Sequence, residues 1–589
     1  MKLSYKAWSR IIILMIVLFT VVCGYFVQRL KFDYDFEAFF PNEDSELNIY
    51  DNYRKTFEYD NEFVLLALEN KKGIFKEDFL KKVHALTLDL VKIPEVRNVV
   101  SPTNLKTLDL GGLAPVETPL LHYNDPSLYK DDSVVIYTSE NLIGSFFPAN
   151  ARSVCIYIKT TDRLSKVKSD TLARRIERTY AKFNFDNVRF VGRIVAQDVY
   201  LKQLSHEFSI FLLLSFVVVV IFLYFSFRSV YGIIVPLSIV ILAIFWTLGI
   251  MGMVGKPIDI MTVMLPTMIF IAGMSDVVHY FSKYFEELNK GTDKISIYKL
   301  ILKEVGFPTF LTLITTVVGF LSLLFSSIKP IRDFGIYTSV GITIAFILSY
   351  TLLPALLFLF TPKGMVKIHD EGNKTYSRMR KSLFWIFRHQ KTIVVITVIA
   401  LLLSGWGISK IRTNNILLED LSDKVKIKQD FTFFDENYSG VRPFELEINV
   451  KDTSKRIWDY EVMRELNKTD GYLKKEYGMG FMFSPSILAK AVNKAVNSGD
   501  AAAYKFPETK EEYDTEIKEY IFKNRKSRDF KRIITSNGKS GRLTGKIRDM
   551  GSLRVKELNS GFQNFIRANV DTNLVSFHIT GAAMLLDKN

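Results

Sequence analysis

The sequence predicts a polytopic α-helical membrane protein with two large α/β domains set between its spans. Three observations predict it. Apolar runs near the ~20 residues needed to cross a ~30 Å hydrocarbon core recur along the chain. Two polar stretches of ordinary globular composition interrupt them, and basic residues crowd particular ends of the runs. The 589 residues are 48% apolar with a net charge of +15, a mixture too long for a single domain.

The charge excess follows topology. Lys2, Lys6 and Arg10 precede the first apolar run, and Lys363, Lys367, Lys374, Arg378, Arg380, Lys381, Arg388 and Lys391 crowd one short connection against Asp370 and Glu371. Basic residues beside spans mark the cytoplasmic side, so no nucleic-acid partner is expected. Cys23 lies in an apolar run and Cys155 in a polar stretch, which excludes a disulfide framework. No zinc-ligand cluster, phosphate-binding glycine loop or nucleophile elbow stands out, so an ordinary enzyme, a metal and an organic cofactor are not expected.

Residues 1–29 hold the first span, Ile11 to Val27, read as an uncleaved helix with a cytoplasmic N-terminus. Residues 30–205 form the first α/β domain, outside the cytoplasm. Phe63 to Glu69 and Ser153 to Thr160 read there as strands, and Lys76 to Ile93 and Val167 to Phe183 as helices. Residues 206–361 hold spans two to six, at Phe208 to Phe225, Ile233 to Val254, Ile258 to Val278, Phe307 to Phe325 and Ile336 to Phe360. Arg228 and the amphipathic helix expected from Lys283 to Lys303 mark inside connections; the turns at Lys256 and Lys329 fall outside. A basic cytoplasmic linker (362–391), a seventh span (392–409) and a second α/β domain (410–589) complete the chain.

The two polar stretches repeat one another. LKFDYDFEAFF after the first span is matched by IRTNNILLEDL after the seventh, SPTN (Ser101 to Asn104) by SPSI (Ser484 to Ile487), and NARSVCIYIKTTDRLS by SGRLTGKIRDMGS. FVGRIVAQD (Phe190 to Asp198) is matched by HITGAAMLLD (His578 to Asp587). The first copy runs into a span bundle, so the repeat implies about five further spans after Asn589.

The fourth span carries Asp276 and His279, three residues apart on one helical face. Charge in hydrocarbon costs at least ~2.5–3.5 kcal/mol, so an ionisable group there points to a functional cavity; hydration at the interface beside Lys283 is the alternative. His279 suits either proton relay or hydrogen-bonded packing. On the fifth span Thr309, Thr312, Thr315, Thr316 and Ser322 line up hydroxyls. Such groups pack helices together, with a water wire at Thr315 and Thr316 as the other reading. Asp259 and Asp333 begin spans and are expected to cap them. Pro266 and Pro354 lie inside spans. Core packing is expected of Phe146, Phe147 and Tyr157, with lining of a cargo path as the other reading.

TTVVGFLSLLFSSIKPIRDFG (Thr315 to Gly335), LLPALL (Leu352 to Leu357), Phe36 to Leu68 and PEVRNVVSPTN (Pro94 to Asn104) resemble the resistance-nodulation-division (RND) superfamily, in its MMPL/Patched-like exporter branch. The resemblance implies a sterol-sensing-domain-like bundle in spans two to six and porter domains in the two α/β stretches. It implies a proton-driven inner-membrane exporter of a hydrophobic or lipid-like substrate, powered by the proton gradient. The family's fourth-span motif falls on Gly273, Ser275, Asp276, His279 and Tyr280, with Ser275 where some members place a second acid. Proton relay through Asp276, His279, Thr315 and Thr316 follows. The implied partners are the lipid bilayer, the hydrophobic cargo, and further copies of the chain or a complementary C-terminal half. The alternatives are a non-transporting lipid sensor or scaffold and an accessory protein-translocation component.

Overall fold

The computed structural model describes residues 5–31, 40, 45–57, 62–110, 116–139, 141–162, 164–227, 229–259, 261–360, 374–411, 414, 416–419 and 421–588. Residues 32–39, Arg228, Lys363, Lys367, Asp370 and Glu371, and the side chains of Lys374 and Arg378, lie outside them. The chain forms two units, Met1–Asn42 with Gln203–Arg412, and Glu43–Lys202 with Thr413–Asn589.

The apolar run at the start forms α1 (Tyr5–Val27). Then come α2 (Ser45–Phe57), β1 (Phe63–Glu69), α3 (Glu77–Val91), β2 (Val96–Val100), β3 (Lys106–Asp109), β4 (Val116–Pro119), α4 (Tyr129–Thr138), β5 (Ser153–Thr160), α5 (Lys166–Tyr180) and β6 (Asn187–Gly192). The 35-residue α6 (Arg193–Phe227) spans the boundary between the units. It is followed by α7 (Val230–Met253), α8 (Leu265–Asn289), α9 (Lys294–Ile301), α10 (Phe307–Leu321), α11 (Lys329–Leu359), α12 (Lys374–Arg388) and α13 (Gln390–Ile408). The remainder is α14 (Lys426–Asn437), β7 (Arg442–Val450), α15 (Tyr460–Glu476), β8 (Met482–Phe483), α16 (Pro485–Val496), the short α17 (Lys510–Glu512), α18 (Lys518–Asn524) and α19 (Arg528–Lys531), then β9 (Ser540–Ile547), α20 (Gly551–Asn569), β10 (Val575–Thr580) and α21 (Ala582–Lys588).

In the α/β unit, two four-stranded sheets share one topology. Their orders are β2-β5-β1-β6 and β10-β7-β9-β8, antiparallel throughout. Each is a split β-α-β arrangement of ferredoxin-like form. The repeated phrases occupy equivalent places: SPTN and SPSI follow the edge strands β2 and β8, and the last pair covers the turns from β6 into α6 and from β10 into α21. Phe147 is fully buried, and Tyr157 stacks on Phe63 at 5.2 Å between ring centroids.

The two halves exchange helices. α2, which precedes the first sheet, packs on the second: Glu46 meets His578 at 2.6 Å, and Tyr53 donates to Glu445 at 2.5 Å. Arg542 of β9 grips Glu445 with two bonds of 2.7 Å and donates to the Phe57 carbonyl at 2.7 Å. Reciprocally, α14 packs on the first sheet. Asp430 accepts from Arg189 at 3.1 Å and from the Phe190 N–H at 3.2 Å, while the Tyr438 hydroxyl meets Ser153 at 2.7 Å. Ile427, Phe434 and Tyr438 are therefore part of the first core.

In the other unit, α1, α7, α8 and α11 pack together, and α10 lies on α11. Among the described residues six helical segments are long and apolar enough to cross a membrane, beginning at Tyr5, Val230, Thr262, Lys294, Lys329 and Gln390. The apolar part of α6, Leu212–Phe227, is shorter. α13 buries none of its side chains among the described residues.

Three sequence expectations change. Pro266 stands in the first turn of α8, where its missing N–H costs nothing, rather than inside the helix. Asp333 does not cap α11; it joins Asp259 in flanking Lys256, with Lys256 to Asp259 at 2.8 Å. The helix expected from Lys283 to Lys303 breaks in two. Gly291 takes φ +81° and Asp293 caps α9 by accepting from the Ile295 and Ser296 N–H groups.

Candidate functional site

α8 is positioned at both ends by local chemistry. At its start Asp259 accepts from the Thr262 N–H at 2.8 Å while Thr262 accepts from the Asp259 N–H at 2.8 Å, a reciprocal cap on the lead-in turn. At its end Lys283 reaches Glu304 at 3.1 Å and Glu287 at 3.3 Å, tying α8 to the turn before α10. That turn, Leu302–Gly306, is a π-bulge, a local widening that proteins often place near functional groups.

Between these ends α8 lies against α11 at very short range. A Cβ on Gly273 would stand 2.8 Å from the Ala345 Cβ, so only glycine permits this approach. One turn further on, the same face presents Asp276, then Tyr280 and Tyr284 at successive four-residue steps. Their exposures are 7%, 1% and 3%, so the stripe is directed into the bundle. Tyr280 packs edge-on against Tyr350 of α11, with centroids 5.5 Å apart, and Tyr350 lies within electrostatic reach of Asp276. The Tyr350 hydroxyl shares a 2.5 Å hydrogen bond with Thr309 of α10. Asp276 itself has no hydrogen-bond or ion-pair partner among the described residues. The result is a lone carboxyl group beside aromatic rings in the middle of a packed bundle.

His279 stands elsewhere on the same helix, on an exposed face together with Ser275. Thr315 is exposed and Thr316 half-buried; both hydroxyls donate to the Thr312 carbonyl of their own helix, at 2.9 and 2.8 Å. α10 has α11 as its main neighbour, and the structure brings neither threonine to Asp276. The hydroxyl that does reach across between helices is Thr309. Tyr280, Tyr350 and Thr309 thus join Asp276; of these Tyr280 was signalled by the fourth-span motif and Thr309 by the row of hydroxyls, while Tyr350 carried no sequence signal.

Residues 176–398, from α5 through the bundle into α13, match the model of the MMPL family. This region is similar to the MMPL family. The family is one of membrane transporters rather than enzymes, which agrees with the RND/MMPL resemblance of the sequence. Three relatives extend the comparison. Membrane protein MJ1562 of Methanocaldococcus jannaschii is 32% identical over 141 residues, 24% of this chain and 36% of that protein. The apo-petrobactin exporter of Bacillus anthracis is 24% identical over 331 residues, 52% of this chain and 43% of that protein. The hopanoid transporter HpnN of Rhodopseudomonas palustris is 29% identical over 126 residues, 21% of this chain and 14% of that protein. The aligned parts thus span less than half the length of each of these relatives.

Proposed function

We propose that this MMPL-like chain acts in proton-driven export of a hydrophobic or lipid-like substrate. The observation that carries the proposal is Asp276: a buried carboxyl group with no ion-pair partner among the described residues, on a helix that packs closely against α11. Gaining or losing one proton there changes the charge of the bundle interior by a whole unit with no ion pair to absorb it. The two protonation states therefore favour different packings of α8 against α11, which is what coupling requires. The α/β unit would follow by rigid-body motion and open or close a path for cargo. The export of apo-petrobactin and the transport of hopanoids by the named relatives lend support to a hydrophobic or amphiphilic cargo.

In this proposal the protein sits in the inner membrane as a multi-pass chain, N-terminus in the cytoplasm, with the two α/β halves outside as porter domains. His279, Thr315 and Thr316 assist proton movement from the exposed faces of α8 and α10, where a second copy or a complementary half supplies the facing surface. Residues 206–361 act as the sterol-sensing-domain-like bundle.

The test is proton-dependent export of a panel of lipids by the reconstituted transporter. Asp276→Asn keeps the shape and removes the ionisation, so it is expected to abolish export while leaving the amount of folded protein unchanged. His279→Gln is expected to shift the pH profile and retain export. Export by the Asp276→Asn variant at the unsubstituted rate would overturn the proposal.

A further inference from the structure

Where the two halves of the α/β unit meet, Lys546 of β9 is enclosed without a counter-charge among the described residues. It lies opposite Pro443 of β7, and its backbone N–H donates to the Phe481 carbonyl at 3.1 Å. Leu543 and Ile547 of the same strand point into the second core, so alternation puts Lys546 on the other face, with Arg542 and Thr544. There it is 4% exposed. Lysine is almost never buried so fully unless it is paired, yet no hydrogen bond or ion pair holds this ammonium group among the described residues.

The surroundings do not supply the missing charge. Glu445, across from Thr544 on that face, already accepts from Arg542 twice at 2.7 Å, from Thr544 at 2.6 Å and from Tyr53 at 2.5 Å. Cys155 of β5, in the other half, acts on Lys546 electrostatically. Burial pushes its thiol up to about 12, so it is uncharged at neutral pH. Burial also pushes the Lys546 ammonium down from its ordinary 10.5.

A row of rings leads to this group. Lys546 Nζ stands 5.8 Å from the centre of the Phe481 ring, Phe481 stacks on Tyr157 of β5 at 6.3 Å, and Tyr157 stacks on Phe63 of β1 at 5.2 Å. The row thus crosses from the second sheet to the first. Tyr157 and Phe481 are half-buried, and Phe483, two residues beyond Phe481, is 38% exposed. The apolar row reaches the surface while the ammonium at its end is covered. A hydrocarbon tail matches the rings and an anion matches the lysine. A neutral lipid uses the first alone, and an inorganic anion the second alone.

We propose that this row binds an anionic amphiphile, its acid group on Lys546 and its tail along Phe481, Tyr157 and Phe63, and that the cargo is of this class. The proposal rests on the export reading above and narrows it. Parting of the halves at the Tyr157–Phe481 contact uncovers the ammonium, and the guest's anion takes the place of the missing partner.

Equilibrium binding of tritiated hexadecyl sulfate or hexadecanol to the purified full chain in mild detergent tests the site. No proton gradient is present, so the outcome is separate from that of the Asp276→Asn export assay. The unsubstituted chain is expected to prefer the sulfate ester by roughly tenfold or more, the scale of a hydrogen bond to a charged group. Lys546→Met keeps an unbranched stem and removes the charge. It is expected to lower sulfate-ester binding to the level of the alcohol and to leave the alcohol's binding unchanged. A buried charge without a partner adds nothing to stability, so this variant is expected to unfold at or above the unsubstituted temperature. Should it unfold at a lower one, Lys546→Arg decides: a preference kept supports the charge, and a preference lost overturns the proposal. Equal sulfate-ester binding by Lys546→Met and the unsubstituted chain, no preference for the ester over the alcohol, or displacement of the ester by millimolar inorganic sulfate also overturns it.

Discussion

Asp470 of α15 is 2% exposed and accepts from Ser484 at 2.5 Å and from Ser486, both at the start of α16. Burial outweighs these donors and pushes its carboxyl up to about 6 from an ordinary 3.8. The folded state therefore holds a proton that the unfolded chain has released. Its contribution to stability is complete below the unfolded pKa and is lost as pH rises through about 6. Asp470→Asn cannot ionise. Its unfolding free energy is expected to fall less between pH 4 and 6.5 than that of the unsubstituted chain, by on the order of 1–3 kcal/mol. Chemical denaturation across that range measures the difference. Glu445 gives the complementary case, since its partner Arg542 is 8% exposed and its own carboxylate 1%. Arg542→Met strands a buried charge and is expected to cost about 3–5 kcal/mol, whereas adding Glu445→Leu returns much of it. Neither group announced itself in the sequence. A carboxylate within a membrane run, as at Asp276, is conspicuous because its surroundings are apolar; Asp470 and Glu445 lie in stretches rich in ordinary surface charge. Their burial is decided by packing that a linear pattern does not contain.

Among the elements, the strands were the most legible. β1 and β5 match the apolar runs that foretold them, because burial of six of seven residues in β1 leaves an almost unbroken apolar run. α3 and α5 ended within a few residues of their expected limits, set by Pro94 and by the loss of helical period. The long spans were legible from hydropathy, but the close crossing of α8 and α11 was not. It depends on which small residues coincide: Gly273 against Ala345. Gly273→Ala is expected to destabilise the bundle by about 1–3 kcal/mol, the cost of overpacking a filled contact. Ala345→Gly added to it removes the opposing methyl group and is expected to restore part of the loss. Thermal unfolding of the four proteins in detergent closes the cycle. The π-bulge at Leu302–Gly306 likewise has no one-dimensional sign. Three residues beyond it Thr309, one of five spaced hydroxyls, meets Tyr350.

At the scale of the molecule, the doubled β-α-β pattern was legible because each copy brings its own strand, helix and turn phrases in the same order. The exchange of helices between the copies was not. Tyr53 and Glu445 meet across 392 residues of chain, and nothing local distinguishes a helix that packs on its own sheet from one that packs on its twin's. The exchange also sets a timetable for synthesis. The first sheet is translated in full by Gly192, yet its core includes Phe434 of α14 and Tyr438 just after it. Until more than two hundred further residues have been made, the face meant for that helix has no cover, and Arg189 lacks Asp430. The early α/β half must therefore wait in an unfinished state while the spans between are threaded into the membrane. A ribosome stalled before α14 would leave it exposed to proteases and chaperones at that stage.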